Sequence, residues 1–177
     1  VVRCLCSTMR TRKWQWSPVP NHGWLCSTCL RGERNGTERL YHEDVPIDYD
    51  YYTCTVTGSG FSGATRLVKQ GEGTLVLPDV EMTHRGNTDV WNGTLVFNGT
   101  MKQSSLWLNR HTSLRSAGTF RSIKADYNAT VYPGGDGQVG TITTDSATLG
   151  FGSRVVFDLK NDFTSDRLDA KVLTIET

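Results

Sequence analysis

From about residue 52 onward, apolar and polar residues alternate in short runs divided by glycine-rich corners, and the runs repeat. Gly71-Glu72-Gly73-Thr74-Leu75-Val76-Leu77 is echoed by Asn92-Gly93-Thr94-Leu95-Val96-Phe97 about 20 positions later. Weaker echoes follow at Thr112-Ser113-Leu114, Ala129-Thr130-Val131 and Ser153-Arg154-Val155, each a small or turn-forming residue leading into a short strand. Alternation at period two marks strands, and no stretch of even ten residues keeps a helical apolar period. A coil of this length cannot bury its apolar side alone, but stacked coils pair each strand with its equivalents above and below. The pattern therefore predicts an all-β fold, a short right-handed parallel β-helix.

In that arrangement Leu75, Leu77, Leu95, Phe97, Leu114, Val131, Val155 and Phe157 point inward, while Val76, Val96, Arg115, Tyr132 and Val156 point out. Gly58, Gly60, Gly63, Gly71, Gly73, Gly93, Gly99 and Gly118 are expected at corners that need positive φ. Residues 1–52 read differently. They hold Trp14, Trp16, Trp24, Tyr41, Tyr49, Tyr51, Tyr52 and four of the five cysteines. We read them as an irregular, aromatic-rich cap that closes one end of the coil and blocks edge pairing, with the β-helix over residues 53–177.

Composition narrows the function classes. In 177 residues, 19 lysines and arginines face 18 acids, a formal net charge of +1. Such a balance offers no field for gathering nucleic acid or an anionic membrane, so neither is expected as a partner. No apolar run approaches the roughly 18 residues of a membrane-spanning helix. The chain opens at Val1 without a methionine or signal peptide, which suggests an excised or processed domain. Cys4 and Cys6 form a C-x-C, Cys26 and Cys29 a C-x-x-C, and Cys54 is left over. Disulfides, a loosely spaced zinc site and free thiols all remain open for them.

The run from Tyr52 to Leu77, with Leu67-Val68-Lys69-Gln70-Gly71-Glu72-Gly73-Thr74-Leu75 at its end, resembles the opening of the autotransporter-associated β-strand repeat. The likeness continues through Gly86 to Leu95, Ser104 to Asn109, Tyr132 to Gly135 and Gly140 to Ile142, and ends near Leu168. It covers roughly residues 52–170. The resemblance implies export, a secreted or bacterial cell-surface location and a β-helix, without implying an activity. A narrower likeness is to the family 89 carbohydrate-binding modules attached to xylanases. It implies a non-catalytic module that holds plant cell-wall polysaccharide, most of all xylan, beside an attached glycoside hydrolase. The alternative is a structural or adhesive passenger segment of a bacterial surface protein.

Two residues depart from the repeat, whose outer strand surface usually carries small polar side chains. Aligned coils put Val90, Leu108, Ala125 and Leu149 in one inward column, so Asp89, Trp107, Lys124 and Thr148 before it, and Trp91, Asn109, Asp126 and Gly150 after it, should face out. Trp91 and Trp107 would then share one outer face on adjacent coils. Sugar rings stack their apolar faces on flat aromatics while their hydroxyls need polar neighbours. The expected carbohydrate site is therefore Trp91, Trp107, Asn109, Lys124, Asp126 and Asp89. Set against it, each indole could instead cover a hydrophobic seam, and the tyrosines of the cap, set among Glu43, Asp44, Asp48 and Asp50, are a rival.

Catalysis has thin support. Asp126 with Lys124 and Arg110 is the nearest approach to the carboxylate clusters of β-helical lyases, and His22, His42, His84 and His111 are scattered. The turn Gly134-Gly135-Asp136-Gly137 is explained as a corner before a cation site. No enzyme activity, metal or cofactor is expected.

Overall fold

A computed structural model describes residues 3–6, 53–57, 60–64, 66–77, 79–135 and 137–176. Their elements are strands, numbered in chain order, stacked as a β-solenoid of about 4 turns. One sheet holds β1 (Arg3–Cys6), β2 (Thr53–Thr57), β5 (Thr74–Val76), β8 (Thr94–Val96), β10 (Ser113–Ser116), β12 (Thr130–Pro133) and β14 (Arg154–Val155), in that spatial order. A second runs β4 (Leu67–Lys69), β7 (Thr88–Val90), β9 (Thr100–Leu108), β11 (Thr119–Ala125), β13 (Thr141–Leu149) and β15 (Arg167–Ile175). The short β3 (Ser62–Gly63) and β6 (Thr83–His84) pair between them. All these pairings are parallel except β1 with β2, which is antiparallel.

The echoes in the sequence are the rungs of the ladder. Thr74 lies on Thr94, Thr94 on Ser113, Ser113 on Thr130 and Thr130 on Arg154. Leu75, Leu77, Leu95, Phe97, Leu114 and Val131 are buried, and Val155 is half-buried against them. Val76, Val96, Arg115 and Tyr132 lie on the outer face, where the Arg115 guanidinium sits 5.7 Å from the centre of the Tyr132 ring. The expectation fails at Phe157, which is 54% exposed. Strand β14 stops at Val155 and the chain turns away into the loop bridged by Leu159 and Ser165, so among the described residues no coil closes over it.

Glycines act at the corners in two ways. Gly93 has φ of 70°, and an added Cβ would also strike the carbonyls of Glu72 and Gly73 on the coil below. Gly73, Gly99 and Gly118, expected at positive φ, are not among the residues that adopt it. Gly118 is required by close approach instead, since a Cβ there would come 2.6 Å from the Gly99 carbonyl oxygen, and one on Gly99 would strike that of Val80.

The strands of the second sheet bend in mid-course. In β13 the buried positions are Ile142 and Thr144, then Ala147, so the inward face changes parity near Asp145. β15 follows the same bend in register, Leu168 on Ile142 and Leu173 on Ala147. Of the cap, the aromatic residues Trp14, Trp16, Trp24, Tyr41, Tyr49, Tyr51 and Tyr52, together with Cys26 and Cys29, lie outside the described residues.

Candidate functional site

The column Val90, Leu108, Ala125 and Leu149 is present, each residue hydrogen-bonded in register with the next coil. Side chains alternate across a strand, and of its neighbours Trp91, Trp107, Lys124 and Asp126 are exposed. Trp91 and Trp107 are 48% and 46% exposed on adjacent coils. Trp107 is directly opposite Lys124, whose Nζ lies 5.8 Å from the indole centre. One cation is thus held against that ring at solvent exposure, a contact worth about 0.5–1 kcal/mol.

The polar members of the strip are unequal. Asp126 is exposed, with Oδ1 accepting the Tyr127 amide at 2.9 Å. Asn109 is half-buried, and its Nδ2 donates to the Val90 carbonyl at 3.2 Å, so it ties adjacent coils together. Asp89 does not stand on the strip. It is buried, and its Oδ2 accepts from Arg66 Nε at 2.5 Å. The reason is that β7 is buried on both faces, with Arg66 folded across the outer one.

The structure adds a ladder at the turn beyond the strip. Arg110, Tyr127 and Phe151 occupy equivalent turn positions, two after the inward column. Arg110 lies 5.5 Å from the Tyr127 ring centre, and Tyr127 stacks on Phe151 at 5.6 Å with 20° between ring planes. His111 meets Tyr127 edge-on at 6.4 Å. Tyr127 and Phe151 are exposed, yet they stack on one another and on arginine, so the ladder covers its own ring faces. His111 and Asn128 follow in the left-handed region, at φ of 59° and 57°. Continuing the coil alignment two residues past the column would have found this ladder. Its members share no residue type, which hid it from an echo search.

Lys69 explains a polar position within the repeat. Its ammonium is buried and donates to the carbonyls of Gly71 at 2.5 Å, Asn92 at 2.8 Å and Gln70 at 3.3 Å, sealing one corner to the next. Burial pulls its pKa down to about 8, opposed by the charge of Glu72. Inside the coil His84 Nε2 lies 2.8 Å from Thr88 Oγ1, which is 3.1 Å from Ser104 Oγ. All three are fully enclosed, which suits a structural network rather than attack on a substrate. Among the described residues no group of three or more His, Cys, Asp or Glu is placed to hold a metal ion.

Residues 67–97 match the family described as the passenger-associated transport repeat. No curated protein and no solved structure matches the chain. The match begins at Leu67, takes in the Lys69 corner and ends at Phe97 in the core. With the parallel solenoid it supports the autotransporter-repeat reading, whereas nothing found supports the narrower likeness to family 89 modules.

Proposed function

We propose that the chain is a β-solenoid segment of a bacterial passenger protein, exported and held at or beyond the cell surface, with a structural or adhesive task. The observation that carries this reading is the passenger-repeat match at residues 67–97, on coils that stack in register. The residues that close the corner there, Lys69 and Gly93, are spent on coil-to-coil contacts, as a rigid displayed rod requires. Antibody raised against the folded chain should label intact cells that produce the parent protein. Labelling that appears only after the cells are lysed would refute export.

A second reading rests on the half-exposed indoles of Trp91 and Trp107. Flat, solvent-facing aromatics on successive coils, flanked by Lys124 and Asp126, suit the faces and hydroxyls of a neutral plant β-glycan such as xylan. On this reading the adhesive task is done by the strip, without cleavage. Affinity electrophoresis against a panel of plant polysaccharides tests it, and unretarded migration through every gel would remove it.

A further inference from the structure

The whole-chain charge of +1 conceals a segregation on the second sheet. β9 and β11 are inner strands, each hydrogen-bonded to a neighbour on both sides, so the outer face they present is set within the stack. Lys102 on β9 follows Met101, which pairs with Phe120, and so stands beside Arg121 on β11. Both are exposed, and among the described residues neither makes a salt bridge. Asp145 takes the same place on β13 as Arg121 does on β11, between the paired Phe120–Thr144 and Ser122–Ser146. Its Oδ1 is already taken by Lys171 Nζ at 2.7 Å. That hydrogen bond and the Lys171 charge first, then the charges of Lys102 and Arg121, hold the Asp145 carboxyl below its ordinary pKa, so three cations converge on one acid.

Further along the same strands a second rung carries Trp107, Lys124 and Thr148 in register. Between the rungs run Ser105, Ser122 and Ser146, also in register and half-buried, small hydroxyl groups that put no bulk between the cations and the indole. The face thus offers cations at Lys102, Arg121 and Lys124, a row of hydroxyls and one flat ring. Duplex nucleic acid would ask for a denser array, since it carries one negative charge per about 1.7 Å, whereas Arg121 and Lys124 stand about 10 Å apart along β11. Sparse carboxylates on a polar chain suit this spacing: each meets a cation singly, sugar hydroxyls meet serines, and an apolar sugar face meets the indole.

We propose that the outer face of β9, β11 and β13 holds an acidic polysaccharide, a β-glycan bearing uronic-acid carboxylates, which spans adjacent coils with its acid groups on Lys102, Arg121 and Lys124 and a sugar face on Trp107. The proposal rests on the glycan-binding reading of the tryptophan strip and names the class of glycan, one whose sugars carry carboxylates.

Affinity electrophoresis at low ionic strength tests it, with gels holding either glucuronic-acid-substituted xylan or arabinoxylan free of acid groups. The acidic xylan should retain the wild type about tenfold more strongly, and added salt at about 0.3 M should erase the difference, because the contacts are exposed. Lys102→Gln combined with Arg121→Gln should remove most of the preference with an unchanged circular dichroism spectrum, and Trp107→Ala should weaken retention by both xylans. Equal retention by the two xylans, or a double variant that keeps the preference, overturns this inference and leaves the glycan reading standing. No retention in either gel overturns both. Duplex DNA bound as tightly as the acidic xylan also overturns the inference, since the face would then hold any polyanion.

Discussion

The ammonium of Lys69 donates to the main-chain carbonyl of Asn92, one coil above, at 2.8 Å. A charge at the end of an inward-leaning side chain thus closes a corner where backbone carbonyls converge. Burial holds its pKa at about 8, below the ordinary 10.5. Between those values the unfolded chain keeps a proton that the folded chain has lost, so stability rises with pH across the window and is flat below it. The gain should reach about 3 kcal/mol. Thermal midpoints measured from pH 8 to 10 should climb in the wild type relative to Lys69→Met. Parallel pH profiles for the two proteins would show that Lys69 is not the titrating group.

His84 should act at the opposite end of the scale. Burial lowers its pKa from 6.5, and Nδ1 has no hydrogen-bond partner among the described residues to share a second proton's charge. The folded state therefore favours the neutral ring, and stability present above pH 6.5 should fall as the pH drops below it. Urea midpoints at neutral and mildly acidic pH test this, with His84→Gln expected to flatten the difference.

Leu95 sits at zero exposure between Leu75 and Leu114 on the neighbouring coils. Leu95→Asp places an unpaired charge in that column at a cost of several kcal/mol, enough to unfold much of a marginally stable solenoid. Loss of the far-ultraviolet strand signal is expected. A cooperative unfolding transition close to that of the wild type would place Leu95 outside the core.

Trp91→Ala and Trp107→Ala should keep their thermal midpoints within a few degrees, since outward side chains support no inner layer. On the glycan-binding reading each should weaken polysaccharide retention about tenfold, the loss of one stacking contact of about 1–2 kcal/mol. Asp89→Ala is expected to behave differently, lowering stability by stranding Arg66 and the space beneath it. Equal effects of all three on the midpoint would mean the indoles are packed.

The inward column could be read from the sequence because period-two alternation depends only on strand geometry, and Val90, Leu108, Ala125 and Leu149 obey it. Asp89 could not, because Arg66 covers a face that alternation assigns to solvent. Phe157 could not either, since alternation says nothing of where the next coil ends. The ladder of Arg110, Tyr127 and Phe151 lies in turns, where position in space persists while residue type drifts. His111 takes a left-handed conformation usually supplied by glycine or asparagine, and nothing in its neighbours announces it.

The central claim, parallel coils stacked in register, is tested most directly by nitroxide pairs on the outer face. Val76, Val96, Arg115 and Tyr132 occupy one outward column, successive coils apart. Backbone separations from Val76 should grow by about 4.8 Å per coil, reaching about 14 Å at Tyr132. Dipolar coupling that weakens in that order, Val96 strongest and Tyr132 weakest, is the expected result. Coupling from Val76 that is stronger to Tyr132 than to Val96 would contradict the stack.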